Sequence, residues 1–402
     1  MVGFNFGSGK LTFKLPEGWR VQEAAIRDAP TLSDEEIRAG FRRPLRSRAL
    51  SEMARKRENA TILVDDLSRP TPADKLVPLI IEELRRGGVS ENDMRVVIAV
   101  GAHRPLTGPE LEKKLGKGVL ESVEVLNHNP YENLVYLGAS SQGTPIYVNR
   151  FVAEADLKIG VGCVVPHALS GFGGGGKIIL PGVCGMETID FNHQLEGALG
   201  RLEENPNRED VDEVARRVGL DAIVNVIVNS GGGVAGIFVG GMNYAYREAV
   251  EFARKVYTTK AFRNADMAIL NAYPLDSDFF VASKALWSNL GRLTTKEGGV
   301  LLATLACEQR LGYHALYHRG SRREKELRNS IAKKIEGRKL IIFSPNLSPR
   351  ELSQILPEDG SVEIYGDIGD ALKGAGLPER AKVVVFPTAS LSILSQNEDC
   401  PN

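Results

Sequence analysis

His167 and Lys177 bracket a stretch almost devoid of side chains, Pro166-His167-Ala168-Leu169-Ser170-Gly171-Phe172-Gly173-Gly174-Gly175-Gly176-Lys177, which continues into Ile178-Ile179-Leu180-Pro181-Gly182. Glycine loses more backbone freedom on folding than any other residue. Five in so short a run are kept only where backbone must approach something closely or take a positive φ. An imidazole titrates near neutral pH, and a lysine supplies a point charge. The run follows the apolar, strand-like segment Leu157–Val165. It therefore reads as a ligand loop at the carboxyl end of a strand.

Two familiar phosphate motifs nearly fit this loop. Gly171-x-x-x-x-Gly176-Lys177 matches most of a P-loop, but Ile178 stands where a Ser or Thr would hold Mg²⁺. Gly171-x-Gly173-x-x-Gly176 matches the dinucleotide fingerprint, but it begins six residues past Val165 and His167 interrupts the turn. A variant P-loop in a phosphotransferase and a plain solvent loop both stay open at this point.

Three other strand ends carry unusual polar residues. In Asp65-Asp66-Leu67-Ser68-Arg69-Pro70-Thr71-Pro72 the prolines hold the chain extended, so Asp66 and Arg69 can point into a cleft. Gly101-Ala102-His103-Arg104-Pro105 is the second, and Asn271-Ala272-Tyr273-Pro274-Leu275-Asp276 is the third. The last runs into a helical pattern with Phe280 and Lys284 at i and i+4, on one face. Singly, each has a structural explanation: a local Asp66–Arg69 pair, satisfied loop histidines, a solvated Lys284. Together they are harder to dismiss, because three of the six histidines (His103, His167, His193) fall at strand ends or just past the glycine loop. His128, His314 and His318 have weaker local context. Two imidazoles from separate strand ends suit acid–base chemistry. An Arg and a Lys beside them suit a small carboxylate substrate.

Short apolar runs separated by helical patterns must position these groups. Strands are expected at 60–64, 95–100, 123–126, 145–148, 157–165 and 222–228, with helices near 75–84, 109–115, 187–199 and 244–256. A second block has strands at 267–270, 300–305, 340–343 and 382–386, and an N-terminal hairpin runs from Phe4 to Leu15. Continuous apolar strands alternating with helices predict α/β folding, with mainly parallel sheets covered on both faces. We read two α/β domains, residues 1–262 and 263–402, with an active-site cleft between them and a tail after Pro387 free to pack on either. The length of 402 residues agrees with two domains.

Net charge is −1, which points to neither nucleic acid nor a membrane surface as partner. No apolar run reaches the length of a membrane span, and Met1-Val2-Gly3-Phe4-Asn5 opens a strand pattern rather than a signal peptide. Cys163, Cys184, Cys307 and Cys400 lack CxxC spacing and read as reduced thiols of a cytoplasmic protein, without a zinc site.

Asp66-x-x-Arg69-Pro70, Gly101-x-His103-Arg104, His167 through Lys177 to Pro181-Gly182, His193, Tyr273-Pro274-Leu275-Asp276 and Lys284 occur in one order along the chain. Over residues 60 to 290 this pattern resembles the nickel-dependent lactate racemases and their homologues. The resemblance implies a nickel pincer nucleotide derived from nicotinic acid, joined through a thioamide to Lys177. His193 would be the protein ligand completing square-planar nickel, and the metal site would comprise His193 and the tethered Lys177. Gly173, Gly174, Gly175 and Gly176 would give the nucleotide room, and Asp66 would hold the cofactor or orient a neighbour. Arg69, Lys284 and Phe280 would line the substrate.

The activity implied is racemisation of a 2-hydroxy acid by reversible hydride transfer, with His103 and His167 as acid–base groups on opposite sides of the substrate. Implied partners are the small 2-hydroxy acid and the enzymes that make the cofactor, and self-association is open. One departure stands out: Phe280 replaces the Tyr that the lactate enzymes carry four residues before the lysine. A lost hydroxyl beside the substrate leaves the hydroxy acid open. A sugar-acid 2-epimerase on the same cofactor, and a non-enzymatic carrier of the nickel nucleotide, are the alternatives.

Overall fold

A computed structural model of the chain describes residues 1–318, 320–353, 355–357 and 359–395. Cys400 lies outside the described residues. The chain forms two compact units, one from Ala29–Arg254 and one from Met1–Asp28 together with the chain from Lys255 onward. Residues 1–28 thus leave the domain in which the sequence reading placed them. In the N-terminal hairpin, Val2–Phe6 with Gly9–Phe13, Phe4 and Phe13 pack against the core of Met267, Ile269 and Val383. Alternating apolar residues identify a hairpin but not the sheet that covers its buried face.

The Ala29–Arg254 unit is built on a six-stranded sheet in the order Val234–Gly240, Ala222–Val228, Leu157–Cys163, Ala60–Asp65, Met94–Ala99, Glu124–Asn127. Every neighbouring pair is parallel except Ala222–Val228 with Val234–Gly240. Every residue of Leu157–Cys163 and Ala222–Val228 is buried, as expected of strands covered on both faces. Ala60–Asp65 lies at the centre, the chain winds outward on one side, and then it returns to Leu157–Cys163 on the other. This reversal opens a crevice beyond the carboxyl ends of those two strands, where doubly wound sheets take their ligands. Both Asp65-Asp66 and the glycine loop leave from that point.

Local sequence explains the helices that frame it. Ala73–Gly87 buries Leu76, Val77, Ile80, Ile81 and Leu84 on one face and stops at Gly88 in the left-handed region. Pro206–Val218 starts on Asn205, whose side chain accepts the Arg208 amide, with Pro206 in the first turn. The helix expected over 187–199 covers only Met186–Asn192. Its next turn is diverted because the Asn207 side-chain amide donates to the Asn192 carbonyl at 2.8 Å, and Leu195 closes a tighter turn on the same oxygen.

The second unit carries a six-stranded, all-parallel sheet in the order Val362–Tyr365, Lys339–Phe343, Thr295–Thr304, Ala265–Asn271, Lys382–Phe386, Arg20–Glu23. Ile393–Leu394 pairs with Thr258–Thr259, so the described tail stays in this unit. Among the described residues no helix is long and apolar enough to cross a membrane.

Candidate active site

Asp65 and Asp66 are adjacent in sequence but do different work. Asp65 receives Lys114 Nζ at 2.9 Å and the Thr71 hydroxyl at 2.5 Å. The same buried ammonium donates to the carbonyls of Asp66, Arg69 and Thr71 at 2.9 to 3.3 Å. One lysine thereby fastens the whole 65–71 loop. Asp66 turns the other way and accepts from His103 Nδ1 at 2.6 Å and from the Ser68 amide at 3.0 Å. Burial alone would raise the Asp66 pKa. The His103 ring, the Arg69 charge and the Ser68 hydroxyl outweigh it and hold the carboxyl well below the usual range. Arg69 Nη1 hydrogen-bonds the Ser68 hydroxyl at 2.9 Å and the Ser68 carbonyl at 3.1 Å, so no direct Asp66–Arg69 pair forms.

An ionised carboxylate only accepts, so His103 carries its proton on Nδ1 and its lone pair on Nε2. Next to it, Arg104 is spent on a forked pair with Glu110, at 2.6 and 2.8 Å. His167 is set the opposite way. Its Nδ1 accepts the amides of Leu169 at 3.3 Å and Ser170 at 3.2 Å, which places the proton of the neutral ring on Nε2. The two histidines therefore show opposite tautomers at Nε2.

The glycine loop is tightly packed against protein. A Cβ on Gly174 would lie 2.6 Å from Val164 Cγ2, one on Gly175 2.7 Å from Arg208 Nη2, and one on Gly176 3.0 Å from Ala215 Cβ. Gly174 and Gly175 also take φ of 74° and 57°. Packing and backbone conformation thus require these glycines, independently of any room for a ligand. The loop is pinned by Asn225, which accepts the Gly175 amide at 2.9 Å and donates to the Gly162 carbonyl at 3.2 Å. Arg208 grips Asp212 at 3.0 and 2.5 Å and stacks 3.9 Å over the Tyr246 ring.

Lys177 is partly buried and donates to the Ser170 hydroxyl at 3.0 Å. Burial, with the Arg69 and Arg208 charges, pushes its amine well below the ordinary lysine range. His193 caps the helix Met186–Asn192, and its Nδ1–H donates to the Ile189 carbonyl at 2.8 Å. That bond places the lone pair on Nε2, the arrangement of a histidine oriented to ligate a metal. Among the described residues, no three His, Cys, Asp or Glu side chains are grouped to hold a metal by themselves.

In the other unit, Tyr273-Pro274-Leu275-Asp276 follows the strand Ala265–Asn271, as expected. Phe280 and Lys284 occupy consecutive short turns, Phe279–Ala282 and Lys284–Trp287, and both are buried. The turns are separated where the Ser283 hydroxyl bonds back to the Phe280 carbonyl at 3.0 Å. Phe280 stacks on Tyr317 at 5.5 Å, and His314 lies 4.6 Å from the Tyr317 ring. Asp276 accepts the Gly7 amide at 2.8 Å, yet burial, with Glu308 nearby, pushes its pKa up to about 6. His128 is buried between the Cys184 carbonyl and Asn149.

Sequence reasoning brought Asp66, Arg69, His103, His167, Lys177 and His193 into one unit but missed what holds them. Asn225 had a visible signal, since it is the lone polar residue in Ala222–Val228. Ser170 lies within the glycine-rich run itself, whereas Lys114 and Asn207 sit in ordinary polar surroundings in the sequence, with no local pattern to mark them.

Comparison with known proteins bears on this arrangement. Residues 6–201 match the lactate racemase N-terminal domain family. The chain is 30% identical over 327 residues to a lactate racemase of Thermoanaerobacterium thermosaccharolyticum, covering 78% of this chain and 76% of that one. It is 30% identical over 311 residues to a lactate racemase of Lactiplantibacillus plantarum, covering 75% and 72%. The fold superposes on the lactate racemase apoprotein of T. thermosaccharolyticum with a TM-score of 0.80 at 25% identity, covering 98% of this chain and all of that one. A protein from Thermotoga maritima shares the fold, with a TM-score of 0.69 at 17% identity over 92% of this chain and 100% of the other. This chain belongs to the lactate racemase family and is an isomerase of the racemase kind.

Proposed function

We propose that the chain racemises a small 2-hydroxy acid, lactate-like in its reacting end, on a nickel pincer nucleotide tethered to Lys177. The observation that carries this reading is the pair of opposed settings at His103 and His167 in the unit that also holds Lys177 and His193. The residues fit the cofactor. Lys177 has an amine held below the usual lysine range, as an attachment point requires, and His193 is oriented to offer Nε2. His193 would be one donor and the tethered group would supply the others. When bound, the cofactor supplies a hydride acceptor.

The chain's own residues handle the protons and the carboxylate. His103 Nε2 takes the hydroxyl proton from one enantiomer, with Asp66 keeping the ring in that tautomer. His167 serves the hydroxyl of the other enantiomer. Its Nδ1 must release the Leu169 and Ser170 amides before the ring can hold two protons. Arg69 meets the substrate carboxylate as a forked donor. Two bases are needed because the oxygen that gives up its proton and the oxygen that takes one back, once the planar 2-oxo acid has turned, lie on different sides of the site.

The test is intact mass and nickel content after co-production with the cofactor-making enzymes. Lys177→Ala should lose both the mass increment and nickel, whereas His193→Ala should keep the adduct and lose nickel. A Lys177→Ala chain that still carries the adduct would refute the attachment point. The side chain of the substrate is read from a panel of lactate, larger 2-hydroxy acids and sugar acids.

A further inference from the structure

Behind Lys177 runs a chain of buried polar groups that the racemase chemistry does not use. Lys177 Nζ donates to Ser170 Oγ at 3.0 Å, and Ser170 Oγ donates to Asn207 Oδ1 at 2.6 Å. Asn207 Nδ2 donates to Asn192 Oδ1 at 3.0 Å, and Asn192 Nδ2 donates to Asp210 Oδ2 at 2.8 Å. Asp210 also accepts the Ser140 hydroxyl at 2.5 Å and the Thr144 hydroxyl at 2.8 Å. Ser170, Asn192, Asn207 and Asp210 are at most 1% exposed, so water does not compete for these bonds.

The direction of every link follows from the last one. A carboxylate only accepts, so Asn192 must present its NH₂ to Asp210 and its oxygen to Asn207. Asn207 must then present its NH₂ to Asn192 and its oxygen to Ser170. The Ser170 proton is committed to Asn207, and the hydroxyl can only accept from Lys177. We infer that Asp210 is a positioning residue for Lys177, acting through this one-way chain to turn an N–H of the amine inward and its lone pair outward. Asn192 directly precedes His193, so the same chain ties the lysine to the helix that carries the histidine. The assignment deepens the reading of Lys177 as the attachment point and rests on it, but it concerns the amine before anything is attached.

Trace acetic anhydride on the apoprotein tests it without the cofactor. The amine lone pair forms the N–C bond, the anhydride C–O bond breaks, acetate leaves, and the nitrogen proton passes to solvent. Acetylation of Lys177 is measured by peptide mass spectrometry against surface lysines of the same molecule, from pH 6 to 11. Ser170→Ala and Asp210→Asn should each lower its plateau rate, where further rise in pH no longer speeds labelling of Lys177, by about tenfold or more, the scale of lost orientation. Ser140→Ala removes one donor to Asp210 without reversing the chain and should leave the plateau unchanged. Ser170→Ala removes a single oxygen, and its fold is checked by circular dichroism. Wild-type plateaus in folded Ser170→Ala and Asp210→Asn would overturn the inference, whatever their melting temperatures. The cofactor reading would still be judged separately by adduct mass and nickel.

Discussion

Asp66 Oδ2 and His103 Nδ1 are 2.6 Å apart, and this contact decides which nitrogen of the ring can act as a base. Replacing Asp66 by Asn keeps the shape but lets the ring present either tautomer. The expected result is a fall in kcat of roughly 10²-fold or more, the usual worth of a correctly set general base. Retained kcat in Asp66→Asn would show that the carboxylate does not set the ring. The same carboxyl has an acid signature. Its folded pKa is depressed, so the stability it contributes is fully present above the unfolded value near 4 and is lost as pH falls through the lower, folded one. Urea unfolding between pH 3 and 7 should show this contribution in wild type and not in Asp66→Asn.

His103 and His167 should divide the enantiomers between them. Changing either to Ala should slow racemisation in both directions by roughly 10²-fold, because a catalyst cannot shift the equilibrium between mirror images. Single-turnover oxidation of each enantiomer should separate them, with each variant impaired mainly toward one. Near-wild-type single turnovers with both enantiomers in both variants would end the two-base reading.

His128 belongs to stability rather than to chemistry. Burial lowers its pKa to about 4, although the Cys184 carbonyl favours the charged ring. The folded chain keeps it neutral while the unfolded chain binds a proton below about 6.5, so stability should fall as pH drops from 6.5 toward 4. Denaturant midpoints across that window should flatten in His128→Gln, and an unchanged slope would mean another group governs it.

Much of the fold was legible because parallel strands covered on both faces leave continuous apolar runs, as at Leu157–Cys163 and Ala222–Val228. The candidate site was legible where rare residue types stand just past apolar runs, as with His103 and His167. What escaped the reading depends on contacts distant in sequence. The hairpin Val2–Phe6 with Gly9–Phe13 packs against a sheet more than 250 residues later, on Met267 and Val383. The helix ending at Asn192 stops on an amide from Asn207. The glycines at 174–176 looked like space for a ligand, and Val164, Arg208 and Ala215 occupy that space.

Lys114 gives the last prediction. Its ammonium is enclosed, pairs with Asp65 at 2.9 Å and donates to three carbonyls of the loop that carries Asp66 and Arg69. Taking two charges out of water is costly, and the pair is tolerated because each member satisfies the other. Lys114→Met removes one partner and leaves the partly buried Asp65 without its cation, a loss of about 3 kcal/mol, the low end for a broken buried pair. Asp65→Asn in the same chain removes the stranded charge, so the double variant should be more stable than Lys114→Met alone. Urea midpoints of the four chains form the cycle that isolates the pair. Activity supplies the second readout: with its loop unfastened, Arg69 should hold the carboxylate less well, and KM should rise more than kcat falls. If Lys114→Met unfolds with the wild-type midpoint and keeps the wild-type KM, the lysine does not hold the loop.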